Sequence, residues 1–293
     1  MSKRKPKKGA KPKPKSAASP GLLFNTRLMG ILLFTLGFLL YANTLTHDYA
    51  LDDAIVIYDN EFTQQGISGV DDLLKYDTFR GFFKVEGKDK LVSGGRYRPW
   101  TPILFALQVQ FFGLNPMVGH FFNALCYGLT GLLIYVLMLS LLRVRFSEAF
   151  THWVALFTTL LFLTHPLHTE VVANIKGADE MWALLGGVGA LWASLRATDE
   201  KRPLWHLAAA LFFFIGLLSK ENAITLVVLV PLAYWFFRNT SLLKIAGSTL
   251  PFVIVAAVFL VLRTSVLGFS LGDPSNELMN NPFLKLVGKQ YVP

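Results

Sequence analysis

The sequence predicts an all-α membrane protein: a polytopic transmembrane helix bundle of about seven spans, with a non-cytoplasmic first loop carrying short interfacial helices. Three observations predict it. Of 293 residues, 53% are hydrophobic and only 16% charged, where a soluble domain carries about 25% charged residues. The charge deficit is uneven, because long apolar runs alternate with short charged punctuation. Finally, Leu28–Leu40, Phe121–Leu142 and Phe252–Leu262 are apolar all round, whereas helices around a soluble core keep a polar face.

The elements follow in order. Residues 1–24 hold eight cations within the first fifteen positions, mixed with Pro, Ala and Ser, and cannot bury enough apolar surface to fold. This basic tail reads as a cytoplasmic segment resting on anionic lipid. It lacks the interleaved aromatics of a nucleic-acid-binding arm, so no nucleic acid is expected as a partner. The following apolar run is long and more spans come after it, so the start reads as an uncleaved signal-anchor.

The membrane domain is placed at 25–264. Its first span is about Leu28–Leu45, and an extracytoplasmic region, 46–117, follows. That region contains the periodic pieces Val70–Tyr76 and Phe79–Phe83, a Ser93-Gly94-Gly95 stretch, and Pro99–Phe112. The last is expected to lie in the interface, broken by Gln108 and Gln110 and ended by Asn115-Pro116. Further spans are expected at about Val118–Leu142, Trp153–Thr164, Met181–Leu195, Leu204–Leu218, Ala223–Phe237 and Ala246–Leu262. Pro231 and Pro251 are expected to kink their helices. Residues 265–293 read as an extracytoplasmic tail, expected to be truncated. Cys126 is the sole cysteine, which leaves no intrachain disulfide and no cysteine metal cage.

Orientation follows from counting cations. With the basic tail in the cytoplasm, parity gives that side Arg143, Arg145, Arg196, Lys201, Arg202, Arg238 and Lys244, as the positive-inside tendency requires. The other side receives ionisable residues at the ends of several spans: Asp52 and Asp53, Arg96 and Arg98, His165, His168, Glu170, Lys176, Asp179 and Glu180, and Lys220 and Glu221. Ionisable groups near membrane depth are costly, so their gathering suggests one shared polar cavity.

Each motif there has a functional and a plain reading. Asp52-Asp53 places two carboxylates at the membrane surface. Their mutual repulsion would suit a general base, and an exposed helix-end pair is the plain alternative. Arg96-Tyr97-Arg98-Pro99-Trp100 offers guanidinium forks for phosphate, or cations and an aromatic anchor for lipid headgroups. His165-Pro166-Leu167-His168-Thr169-Glu170 spaces two histidines like metal ligands. Pro166 interrupts the helix that would align them, so no metal is expected and hydrogen bonding within the cavity is. Ser219-Lys220-Glu221-Asn222 provides a cation for a lipid phosphate, or a mutual Lys220–Glu221 pair.

Taken in order, these motifs resemble the GT-C-type membrane glycosyltransferases. The closest likeness is to the N-terminal part of the transmembrane-and-TPR-repeat protein O-mannosyltransferases and their bacterial relatives. The resemblance rests on Leu51-Asp52-Asp53, Tyr97-Arg98-Pro99, Gly113-Leu114-Asn115-Pro116 with His120 and Asn123, His165 to Ala173, Gly177-Ala178-Asp179 and Leu218-Ser219-Lys220-Glu221, and covers about Gly30 to Phe237. It implies a GT-C-like fold that moves a mannose-like sugar from a polyprenyl-phosphate carrier to a hydroxyl on the non-cytoplasmic face. Asp52 matches the family's catalytic base best, with Asp53 next.

Arg96, Arg98 and Lys220 would hold the donor phosphate. Tyr97, His165, His168, Glu170, Asp179 and Glu221 would line the cavity. The scheme needs no metal or other cofactor. The partners implied are a lipid-linked sugar donor, a protein or glycan acceptor and membrane lipids. The setting expected is a bacterial inner membrane rather than endoplasmic reticulum. The rival readings are a transporter or flippase, which would put charges deep in spans or repeat its helices, and a non-catalytic scaffold.

Overall fold

The computed structural model describes residues 25–84 and 96–268. The basic tail, the Ser93-Gly94-Gly95 stretch and the tail from residue 269 onward lie outside the described residues. Among those described, every regular element is helical, and the chain is an all-α polytopic membrane protein.

Helix α1 (Thr26–Leu40) starts where the Asn25 side chain accepts from the Leu28 N–H, and a 3-10 turn, Ala42–Thr46, extends it. The first loop then folds into short helices, α2 (Glu61–Gln64), α3 (Val70–Lys75) and α4 (Arg80–Phe83). Helix α5 (Trp100–Phe112) buries Thr101, Pro102, Phe105 and Ala106 and exposes Phe111 and Phe112. Its Gln110 carbonyl accepts from the Ile67 N–H at 3.3 Å, so a residue that interrupts the apolar run fastens the loop to α5.

The end of α5 differs from the sequence expectation. Gly113, at φ +66°, stops it, since a left-handed backbone favours a residue with no Cβ. Asn115 and Pro116 begin the next helix instead: Asn115 caps it and Pro116 occupies the first turn, where its missing N–H costs nothing.

The bundle continues with α6 (Pro116–Leu142), α7 (Glu148–Leu163), the short α8 (His168–Ala173), α9 (Ala178–Glu200), α10 (Leu204–Ser219), α11 (Leu226–Arg238) and α12 (Leu242–Leu267). Among the described residues, four stretches are long and apolar enough to cross a bilayer: Thr26–Thr46, Pro116–Leu142, Glu221–Arg238 and Leu242–Leu267. The other three of the seven expected spans are also helices. Yet α7 and α10 have 16 residues each, about 24 Å of helix against a hydrocarbon core of about 30 Å. Helix α9 has 23 residues but carries charges at both ends. Pro231 and Pro251 lie inside continuous helices.

Small residues set the closest helix contacts, as expected where lipid supplies no hydrophobic drive between helices. A Cβ on Gly37 of α1 would lie 2.9 Å from the Gly128 Cα of α6, and one on Gly186 of α9 only 2.6 Å from the Phe212 carbonyl of α10. Outward faces are apolar: Ile31, Leu32, Val253, Ile254, Val258 and Val261 are exposed, a surface that lipid covers and water would not tolerate.

Side chains clasp one end of the bundle. Arg238 of α11 donates to Asp199 of α9 at 2.8 and 3.0 Å and to the Ser140 carbonyl of α6 at 2.9 Å. Arg143, at the end of α6, donates to Thr26 of α1 at 3.2 Å. The acidic pair, Arg98 and Lys220 lie at the helix ends away from this clasp.

Candidate active site

The site begins at a tight turn. Leu51 has a left-handed backbone, φ +48°, and the chain folds so that the Asp53 carboxylate accepts from the Ala50 N–H at 2.9 Å. Its other oxygen accepts from the Lys176 N–H at 2.8 Å, on the 3-10 turn Ile175–Gly177 before α9. Asp53 is fully buried. Burial raises its pKa against the lowering effect of the two backbone N–H groups. Its work is to tie the first loop to the connection between α8 and α9.

Asp52, one residue earlier, has a different environment. Its side chain is 54% exposed and lies 4.0 Å from the Lys176 ammonium. It lines a small cavity with Thr78, Phe79, Arg96, Arg98, Lys176 and Asp179. Two adjacent aspartates thus divide the labour, one structural and one facing open space.

The opposite wall is built by the 96–98 segment. Thr78 donates from its N–H and its hydroxyl to the Arg96 carbonyl, at 2.8 and 2.7 Å, and the Arg96 N–H donates to Asp77. Arg96 and Arg98 line the cavity, while Tyr97 between them is buried in the core with its hydroxyl on the Leu74 carbonyl at 3.1 Å. The side chains therefore alternate in direction.

Arg98 is heavily engaged. Its Nε and Nη2 each donate to one oxygen of Glu221 at 2.8 Å, and Nη1 donates to Asp179 at 3.0 Å. Burial works against its charge, but Glu221 and Asp179 outweigh that and raise its pKa. Lys176 bridges onward, with its ammonium 3.5 Å from Asp179. The result is an alternating chain of charge: Asp52, Lys176, Asp179, Arg98, Glu221. Arg96 stands apart from it. Its guanidinium lies over the Phe79 ring at 5.0 Å, and among the described residues no carboxylate is within ion-pair reach of it.

Lys220 does not pair with its neighbour Glu221; its ammonium bonds Glu180 of α9. Burial pulls the Lys220 pKa down, against Asp179 and aided by Arg98 and Lys176.

The structure divides the expected shared cavity. Asp52, Arg96, Arg98 and Asp179 meet in one place, with Glu221 attached through Arg98. His165 lines a different cavity, of about 290 Å³, with Tyr41, Asn43, Thr44 and His47. His168 accompanies neither group. Its Nδ1 meets the Tyr127 hydroxyl at 2.9 Å, and it lines a third cavity of about 500 Å³. Glu170 is exposed on α8. The reason is Pro166, which together with the start of α8 at His168 turns the residues of this motif toward different sides.

Lys176 and Glu180 are the groups that sequence reasoning noted on the outer side but assigned no role. Their signal was present: Lys176 lies three residues before Asp179, and Glu180 directly follows it at the start of a helix.

The third cavity is mostly apolar. Leu137, Met181, Leu184, Val188, Leu191 and Leu229 form its walls, and His168, Glu180, Asn222 and Thr225 supply its polar groups. From Glu180 to Leu191 it follows α9 for roughly 16 Å. Glu180, Asn222 and Thr225 belong to the helix ends that carry Lys220 and Glu221, whereas Tyr127 and Thr130, also on its lining, lie within α6.

The geometry can be set beside known proteins. A family model described as dolichyl-phosphate-mannose-protein mannosyltransferase matches residues 98–269, more than half of the chain. This chain belongs to that family. The match includes Arg98, Lys176, Asp179, Lys220 and Glu221 and begins after Asp52 and Asp53.

Among relatives, the human protein O-mannosyl-transferase TMTC1 is 28% identical over 197 residues, which cover 64% of this chain and 21% of that protein. Mouse protein O-mannosyl-transferase TMTC2 is 30% identical over 203 residues, 65% of this chain and 22% of that protein. Protein O-mannosyl-transferase F38B6.6 of Caenorhabditis elegans is 24% identical over 270 residues, 89% and 36%. The chain thus spans between a fifth and about a third of the length of these relatives. No solved structure matches it.

Proposed function

We propose that this mannosyltransferase-family chain transfers a mannose-like sugar from a polyprenyl-phosphate carrier to a hydroxyl acceptor, with a protein Ser or Thr as the acceptor its relatives' names suggest. One observation carries this reading. A half-exposed carboxylate, Asp52, shares a cavity wall with Arg96, which has no carboxylate in ion-pair reach among the described residues, and with the Arg98 fork. That is a base facing phosphate-binding cations.

Asp52 takes the proton of the acceptor hydroxyl as that oxygen attacks the anomeric carbon in line. The bond from the anomeric carbon to the phosphate oxygen breaks. The phosphate leaves with the electron pair, and Arg96 and Arg98 stabilise its charge. Lys176 stands beside Asp52, its ammonium 4.0 Å from the carboxylate. Lys220, held by Glu180, adds positive charge at the rim. The apolar cavity along α9 suits the isoprenoid chain of such a carrier, since Glu180, Asn222 and Thr225 on its lining sit at the helix ends that bear the charged cluster. In this reading the clasped end of the bundle and the basic N-terminus face the cytoplasm, and the site faces the other side.

The test uses the full chain in its membrane, labelled polyprenyl-phosphate mannose and Ser/Thr-containing acceptor peptides. Transfer of label is expected, and Asp52→Asn is expected to abolish it while the protein still inserts. A fully active Asp52→Asn variant refutes the assignment of the base.

A further inference from the structure

Occupancy of the Arg98 guanidinium decides this inference. The cavity between Asp52 and the arginines has a free volume of only about 20 Å³, room for about one water molecule. Arg98 lines it, and a phosphate can take an edge of that guanidinium only if the carboxylate now on it leaves.

The candidates can be ranked by what holds them. Asp179 is only 4% exposed and bonds both Arg98 and Lys176, so moving it would strand a buried carboxylate. Glu221 is 42% exposed, sits at the start of a short 3-10 turn, Glu221–Thr225, and can trade Arg98 for water. Its two oxygens occupy Nε and Nη2 of Arg98 at 2.8 Å each. A phosphate presents the same two-oxygen edge to a guanidinium.

We infer that Glu221 is an exchangeable stand-in for the donor phosphate: it fills the Arg98 fork in the empty site, and a phosphate-bearing ligand must displace it to bind. The inference rests on the reading of Arg98 as part of the phosphate site. Asp179 stays on Nη1 and keeps the guanidinium aimed during the exchange, and Arg96, on the same cavity wall, takes a second phosphate oxygen. Glu221 therefore sets donor affinity. Apparent affinity falls by the fraction of molecules in which the fork is open, so removing the competing charge tightens binding. With the fork closed in roughly nine molecules of ten, the gain is about tenfold.

The experiment is equilibrium binding of a short-chain polyprenyl monophosphate to the full-length chain in nanodiscs. Wild type is compared with Glu221→Gln and Glu221→Ala. The free polyprenol, inorganic phosphate and phosphatidylglycerol discs separate the contributions of chain, phosphate and bulk headgroup. Both variants are expected to bind the polyprenyl phosphate about tenfold more tightly, with polyprenol binding unchanged. Gln keeps an oxygen for Arg98, so it preserves the fold even where Ala does not, and a thermal melt on each sample identifies the folded ones. If wild type binds and folded Glu221→Gln binds equally or more weakly, the stand-in role is wrong and the phosphate site survives. If wild type binds no polyprenyl phosphate, the donor reading fails and takes this inference with it.

Discussion

Replacing Arg98 with Ala should unfold the end of this bundle that carries the charged cluster before it does anything subtler. The guanidinium, 12% exposed, makes three charge-assisted hydrogen bonds to two carboxylates. The two do not count equally. Glu221 reaches water and recovers solvation when released, so its pair is discounted to about 0–1 kcal/mol. Asp179 is nearly buried and would retain only Lys176 as a cationic partner. Leaving such a charge uncompensated costs about 3–5 kcal/mol, less what Lys176 recovers. The expected loss is about 3 kcal/mol, a fall in melting temperature on the order of 10 °C.

Intrinsic tryptophan fluorescence on detergent-solubilised protein would follow the melt. The double variant Arg98→Ala, Asp179→Asn should regain most of the loss, because it removes the stranded charge together with its partner. An Arg98→Ala protein that melts with wild type refutes the electrostatic account of this wall. A double variant less stable than the single one refutes the role given to Asp179.

The two adjacent aspartates should behave oppositely. Asp53→Asn turns an amide NH₂ toward one of two backbone N–H donors and costs about 1–3 kcal/mol in a chemical melt, whereas Asp52→Asn changes stability by about 0.5 kcal/mol or less; equal losses would contradict the division of labour. Gly186→Val should destabilise by about 1–3 kcal/mol, since its Cβ would meet the Phe212 carbonyl, while Gly187→Ala, where a Cβ meets nothing within 4 Å, should be silent in the same thermal assay. Lys220 has a folded pKa below its ordinary value, so its charge costs stability at neutral pH. That cost is relieved as pH rises through the lowered folded value toward about 10.4, where the unfolded chain also gives up the proton. Melts from pH 7 to 10.5 should therefore show wild type gaining on Lys220→Met, and parallel curves would refute the shift.

Much of the fold was legible because lipid imposes a crude rule: every crossing must be helical and apolar, so runs such as Phe252–Leu262 announce themselves. The boundary at Gly113 was misread, because Asn115-Pro116 is equally good chemistry for ending one helix or starting another. The site was legible as a list of charges on one side. Its pairing was not. Lys220 and Glu221 are neighbours in sequence, and consecutive side chains point apart, so Lys220 found its partner on α9 and Glu221 found its own on the segment before α5. Asp52 and Asp53 are identical in the sequence; only the left-handed turn at Leu51 gives one of them to the backbone and the other to the cavity. The histidines at 165 and 168 fell into different cavities because a proline between them breaks the spacing a helix would have imposed.

The Asn123 side chain of α6 donates to the carbonyls of Val172, Asn174 and Ile175 at 3.3, 2.9 and 3.3 Å, and Asp53 takes the next amide. Two remote residues thus hold the junction where α8 passes into the 3-10 turn Ile175–Gly177. All of these contacts are to peptide groups, which every amino acid other than proline carries. The shape of that junction is consequently encoded in part outside it. Val172 and Ile175 are held by the core and Asn174 caps the Lys176 N–H, yet one change at 123 or 53 would remove the contacts that fix the main chain from a distance.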